Sequence, residues 1–387
     1  MTENAYITNI AAFLPGAAVA NDQMEALLGL VGGKPSRARR PVLRSNGIVS
    51  RHYAIDPATG LRTHTNAALA AEAVRLLRND GFSLDLIDCL ACGTSIPDQL
   101  MPNHASMVHG EIASPPCEVV STAGVCLCGV TALKYATMGV QTGEFRHAVA
   151  VASEAASPIL RAQFFEEELE AKVSALDAQP ALAFGKDFLR WMLSDGAGAV
   201  LIEPSPAARG LSLRLDWIVE RSFANEMDAC MYQGAEKLEN GQLRGWMDYR
   251  PHEWLERSVF TLTQDVKQLN EHIVHYTVER GLQEVQRLKG LSPEDVDWFL
   301  PHYSSNYFRD KLAAGMAKVG FAIPCDRWFT NLSSKGNTGS AAIYILLDEL
   351  FRSGRLRVGQ RLLGYVPESG RFSTAFVHLT VCDAGSA

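Results

Sequence analysis

Two pairs of segments in this chain match at nearly the same separation, and that constrains the fold more than any single motif. From Gly81, GFSLDLIDCLACGTS lies over GLSPEDVDWFLPHYS from Gly290 without a gap, 209 residues apart. Gly, Ser, Asp and the final Ser are shared, and Asp85/Glu294 and Ile87/Val296 are similar. Further on, QTGEFRHAVAVAS pairs with RSGRLRVGQRLLGY, with Gly143 falling on Gly354 at a separation of 211. Each member of that second pair reads as a helix end, a glycine stop and a strand. Two separations so close point to an old duplication. The chain is therefore expected to fold as two similar halves, residues 1–205 and 206–387. Residues 219–258 have no counterpart in the first half and are expected to form an inserted cap.

Helical periodicity, as in THTNAALAAEAVRLLRN, alternates with short apolar runs such as IDCLACG, CEVVST, HAVAVAS and GAVLIE. Strands covered on both faces lose the apolar/polar alternation of half-exposed ones, so this pattern predicts an α/β protein with mostly buried strands. No run of eighteen apolar residues is present to span a bilayer. The segment MTENAYITNIAAFLPG lacks the basic and apolar regions of a secretory signal, so a cytoplasmic protein is expected. With 36 basic and 43 acidic residues the charge is −7, which argues against a general nucleic-acid binder. Eight cysteines in 387 residues do not make a disulfide scaffold. Cys89 and Cys92 form a CxxC, yet no second pair at zinc spacing accompanies them and the segment reads as a buried strand. No metal or redox cofactor is expected.

In STAGVCLCGVTALKYA a short strand turns into a helix and carries two cysteines, Cys126 and Cys128. A lone buried cysteine is more often a small hydrophobe than a nucleophile. The repeat separates the two: a shift of 211 carries Cys126 onto Asn337 of SKGNTGSAA, and Cys128 onto Gly339. Cys126 and Asn337 are thus expected to open corresponding helices, and His302 to end the strand-like VDWFLPH. If the halves pack about a pseudo-twofold axis, the three meet near the middle. A thiol at a helix N-terminus is expected to favour the thiolate, which attacks thioesters readily. His302 and Asn337 would supply donors to a developing enolate oxygen, an arrangement suited to carbon–carbon bond formation between acyl thioesters. Asn337 followed by Thr-Gly-Ser also fits a plain helix-capping turn.

These residues carry a recognisable pattern. RSNGIVSRHYA is similar to an RTGIxxRH segment, SDGAGAVLIE to a DGAGA strand, LPHYSSNYFRDKL to a PHQAN motif, and GNTGSAAIYILLDELFRSGRLRVGQRLLGY to a GNTSAA helix and its exit. Over nearly its whole length the chain resembles the thiolase superfamily, within it the ketoacyl-acyl-carrier-protein synthase III group. The resemblance implies a duplicated five-layer αβαβα fold, a homodimer, and phosphopantetheine thioesters of acyl carrier protein or coenzyme A as substrates. It makes Cys126 the acyl-accepting nucleophile, seventeen residues before Gly143 as in the family, with His302 and Asn337 polarising the second thioester. It also assigns the acyl oxyanion hole to the backbone N–H groups of Cys126 and of Gly370 in PESGRFSTAF. Cys128 stands where an aromatic residue or Gly is usual, and PHYSSN replaces PHQAN, so ordinary fatty-acid priming is in doubt.

Glu154, at the end of the strand-like VAVASE, is either a base for an α-proton or a carboxylate satisfied by its surroundings. As a base it would fit the family's members that build 1,3-cyclohexanedione rings on the way to dialkylresorcinols and stilbenes, which STAGVC and the middle insertion resemble most. Arg44, Arg309, Lys311 and Lys318 are either plain surface charge or the seat of an acidic carrier protein or the coenzyme A nucleotide. A simple acyltransferase, a hydroxymethylglutaryl-synthase-like enzyme, a hydrolase and a non-catalytic partner subunit are the competing readings.

Overall fold

The computed structural model describes residues 4–36, 39–164, 189–257 and 259–385. Its frame is a nine-stranded sheet made of β1 (Tyr6–Phe13), β2 (Cys89–Thr94), β3 (Glu118–Ala123), β4 (Ala148–Glu154), β5 (Gly196–Glu203), β6 (Ser212–Ser222), β7 (Trp298–Pro301), β8 (Arg361–Glu368) and β9 (Ser373–Cys382). The spatial order is β7-β8-β9-β6-β1-β5-β4-β2-β3. β1 and β6 meet in the centre, antiparallel, through Tyr6↔Arg214 and Ile7↔Leu213. Outward from β1 come antiparallel β5, antiparallel β4, parallel β2 and parallel β3. Outward from β6 come antiparallel β9, antiparallel β8, parallel β7 and a parallel bridge, Phe299↔Trp328. Strand senses therefore repeat step for step on the two sides, which is the topology of a duplicated unit.

Alternate side chains show why the strands are apolar throughout. Ala148, Ala150 and Ala152 of β4 face a central core, while Val149 and Val151 face an outer one. The outer core is closed by α1 (Asn66–Arg75) and α2 (His104–Ile112), whose starts are capped by Thr65 and Asn103. The central core holds α3 (Cys128–Gln141) and α7 (Ala342–Arg352), together with Val377, Leu379 and Val381 of the other half-sheet. Beyond that half-sheet lie α4 (Val266–Ile273), α5 (Gly281–Lys289) and α6 (Arg309–Lys318), packed on Phe376 and Leu363. Five layers result, with both faces of each half-sheet covered.

The two halves close tightly because glycines stand at the contacts. A Cβ on Gly129 would sit 2.4 Å from the Ser340 carbonyl oxygen, and one on Gly198 would sit 2.4 Å from Tyr344 Cβ. The Tyr344 hydroxyl donates to the Gly129 carbonyl at 2.8 Å, tying α7 to the start of α3.

One expected boundary moves. Residues 219–222 are the end of β6, paired with β9 out to Ser222↔Ser373, because VERS continues the strand. The excursion instead runs from Phe223 to Asp265 and contains the pairs Ala235–Lys237 with Leu243–Gly245 and Met231–Tyr232 with Thr263–Gln264. Residue 258 of the expected cap lies outside the described residues. Cys89 joins the central core and Cys92 the outer one, so this CxxC points to opposite faces of β2 and cannot share an ion. Among the described residues no helix is long and apolar enough to cross a membrane.

Candidate active site

After β3 the chain turns at Gly124, whose φ of +145° disfavours any side chain, and enters α3 at Cys128. Cys126 sits on that corner, half-buried, while Cys128 is buried against the Gly124 turn. Cys126 thus precedes the helix by two residues rather than opening it. Asn337 holds the matching place, two residues before the turn Gly339–Ala341 that leads into α7. The expected thiolate is also corrected. Burial, then the nearby Glu154 and Glu368 carboxylates, push the Cys126 thiol well above its usual range. A helix dipole acts mainly within its first turn, and desolvation with two negative charges outweighs it here. The resting group is a thiol.

His302 follows β7, its N–H bound to the Tyr365 carbonyl at 2.8 Å. Burial pushes its pKa down to about 4, so the imidazole is neutral at pH 7. Cys126 and His302, from opposite halves of the chain, line one cavity. Its other walls are largely apolar, including Leu269, Ile273, Val278 and Phe308. Val274 and Val278 reach it from a π-helical segment, Val274–Arg280, between α4 and α5; such segments recur at functional sites. Nothing in the local sequence marked that segment, which packs on α6 and β8.

Asn337 is buried and does not line this cavity. Its Oδ1 accepts from the Gly339 N–H at 2.9 Å, which leaves the Nδ2 end as donor. The turn it opens rests on α3 through Ser340 and Gly129. Glu154 lies behind the cysteines rather than in the cavity. Its Oε1 takes the N–H and hydroxyl of Ser95 (2.9 and 2.6 Å) and of Ser340 (3.2 and 2.6 Å). Burial raises its pKa and those hydrogen bonds oppose the rise. Gly339, with φ +54°, must be glycine, since a Cβ there would lie 2.8 Å from Glu154 Cγ.

The oxyanion-hole assignment of Gly370 fails. Its N–H donates to Glu368 Oε1 at 2.5 Å, and its carbonyl accepts from Cys230 and Met231 N–H at 2.7 and 3.2 Å. Glu368, two residues before Gly370, brings the acceptor that takes this N–H. Ser369, the neighbour, is the turn residue that lines the cavity with Cys126.

The four basic positions divide. Arg44 is exposed on the helix Arg39–Asn46, which packs on Asn306–Phe308 just before the exposed Arg309. Lys311 donates to the Tyr307 hydroxyl at 2.7 Å and lies over its ring. Lys318, at the far end of α6, is paired with Glu279 at 2.7 Å.

Comparison with known proteins places this geometry. The family model for the C-terminal part of 3-oxoacyl-[acyl-carrier-protein (ACP)] synthase III matches residues 287–371. A beta-ketoacyl-[acyl-carrier-protein] synthase III of Deinococcus deserti is 27% identical over 317 residues, covering 80% of this chain and 78% of that protein. Among solved structures, AbyA1, a tetronic acid condensing enzyme, superposes with a TM-score of 0.72 at 21% identity over 97% of this chain and 99% of its own. A variant of Xanthomonas campestris OleA with bound lauric acid and lauroyl-CoA gives 0.73 at 20% identity over 98% and 100%. The fold is the one these condensing enzymes share.

Proposed function

We propose that this chain, built on the synthase III fold, is a ketosynthase that accepts an acyl group on Cys126 and joins it to a second thioester by a Claisen-type condensation. The observation that carries this reading is the single cavity lined by the Cys126 thiol and the neutral His302 imidazole. In the first step the Cys126 sulfur bonds to the acyl carbon, its proton passes to an acceptor such as His302, and the carrier thiol leaves protonated. In the second step the α-carbon of the incoming thioester attacks the same acyl carbon, and Cys126 departs as a thiol. His302 donates to the oxygen of the second thioester as it gains charge; Asn337, which does not line the cavity, would have to turn its Nδ2 toward it to share that role. The apolar walls suit an aliphatic acyl chain.

The finer reading is a second substrate of the β-ketoacyl type, condensed without loss of carbon dioxide, in cyclohexanedione or resorcinol-type metabolism. Such a substrate requires a base, and this reading uses Glu154, whose pKa burial raises; from its place behind the cysteines the carboxylate has to reach the α-proton past the cavity wall. Acyl carrier protein or coenzyme A thioesters deliver both groups in the cytoplasm. A homodimer fits β3, an edge strand with Ser121 and Ala123 exposed directly before the nucleophile corner.

The test is intact-protein mass spectrometry after incubation with a panel of acyl thioesters. The wild type and Cys128→Ala should gain one acyl group and Cys126→Ala none. Addition of a β-ketoacyl thioester should then discharge the wild type into a condensed product, whereas Glu154→Gln keeps its acyl group. Labelling of Cys128, or steady release of free acid, refutes the reading.

A further inference from the structure

One buried carboxylate beside the nucleophile has no part in the chemistry above. Glu368 ends β8 with 9% of its surface exposed. It accepts the N–H groups of Gly370 at 2.5 Å, Ser373 at 3.1 Å and Arg371 at 3.4 Å; burial raises its pKa and these N–H groups oppose the rise. The turn between β8 and β9 is therefore wound around this side chain. That turn also touches the nucleophile corner: a Cβ on Gly370 would lie 2.1 Å from Glu368 Oε1 and 3.0 Å from Cγ2 of Val125, the residue before Cys126. Pro367 and Ser369, on either side of Glu368, line the cavity with Cys126. From the outside the turn is held by Cys230 and Met231 on the Gly370 carbonyl and by Arg371 Nε on the Met227 carbonyl at 2.6 Å. The base of the inserted segment thus fixes the turn and the carboxylate with it.

We propose that Glu368 is a positioning residue for acyl transfer, clamping the 369–373 turn against the Cys126 corner and setting its carboxylate beside the nucleophile. A thiol resists alkylation and oxidation, because the thiolate is the reactive form. Acyl transfer then proceeds only when the substrate fills the cavity and the sulfhydryl proton has an acceptor in place. The inference rests on Cys126 being the acyl acceptor.

The pH dependence of iodoacetamide alkylation at Cys126 tests it, read by peptide fragmentation that separates Cys126 from Cys128. Glu368→Gln keeps the shape and one acceptor oxygen but removes the charge. Its alkylation midpoint should move to lower pH, with a rate at pH 8 at least about threefold above wild type. Glu368→Asp keeps the charge but cannot reach all three N–H groups; it should retain the wild-type midpoint and lose acyl-transfer rate. An unshifted profile in Glu368→Gln, or unchanged acyl transfer in Glu368→Asp, overturns the proposal. Wild type that takes no acyl group on Cys126 would overturn the functional reading instead, and the alkylation comparison would still stand.

Discussion

Acidification should destabilise this protein through His302 in a way that one substitution isolates. His302 is 5% exposed, and burial lowers its pKa to about 4, whereas an unfolded histidine titrates near pH 6.5. The folded state therefore stays neutral at pH 5 while the unfolded state has taken up a proton, so the unfolded state binds more protons and stability falls as pH drops. The contribution is fully present above about pH 6.5 and is lost progressively toward pH 4. At pH 5 the two titration curves differ by about 2 kcal/mol for this one residue, and by only a few tenths at pH 7. Burial lowers the pKa of His104 to about 4 in the same way, and it contributes separately. Urea unfolding at pH 7 and pH 5, on wild type and His302→Gln, cancels every group the two proteins share. The wild type should lose about 2 kcal/mol more than the variant over that interval. A difference under about 0.5 kcal/mol would mean that His302 is protonated in the folded protein at pH 5, and its assignment as a neutral partner of Cys126 would fall.

Two further tests address packing and docking. Gly129→Ala puts a Cβ 2.4 Å from the Ser340 carbonyl oxygen and 3.0 Å from Ala152 Cβ, so overpacking of about 1–3 kcal/mol should exceed the roughly 1 kcal/mol gained in helix propensity. Gly110→Ala, on the exposed side of α2 with nothing within 4 Å, should instead raise the urea midpoint, and equal shifts in the two variants would contradict the reasoning. Reversing charge at Arg44 or Arg309 should raise KM for a carrier-linked acyl donor about tenfold at low salt, with the effect fading above about 0.3 M salt. Lys318→Glu should change KM little, because that lysine is already engaged by Glu279.

What the sequence revealed and what it hid follow from how far each property reaches. The spacing of Gly143 and Gly354 reports on local punctuation repeated twice, so the doubled order of strands could be inferred from it. Cys126 and His302 stand just before a helix and just after a strand, places that the local pattern of residues marks. The ionisation of Cys126 does not, because it is set by Glu154 and Glu368, which approach only after four strands and the β8–β9 turn have packed. The same holds for Gly370, whose N–H is taken by a carboxylate two residues away only because the turn folds back on it.

On the proposed reading the chemistry is divided between the halves, and the repeat explains why. The separation of 209 that aligns the first pair of segments puts His302 opposite Gly93, and Ser304 opposite Ser95. In the second half an imidazole fits and faces the cavity. In the first half a Cβ at Gly93 would lie 2.7 Å from the Cys128 carbonyl oxygen and 2.9 Å from Gly129 Cα, so α3 has closed onto β2 and no side chain can stand there. Ser304 lines the cavity, whereas Ser95 has turned its hydroxyl to Glu154. One copy gave up the space for a polarising group and brought the nucleophile's helix onto the sheet; the other kept the space and supplies the donor. In the proposed reaction such unlike halves act on one acyl group because Cys126 and His302 line the same cavity.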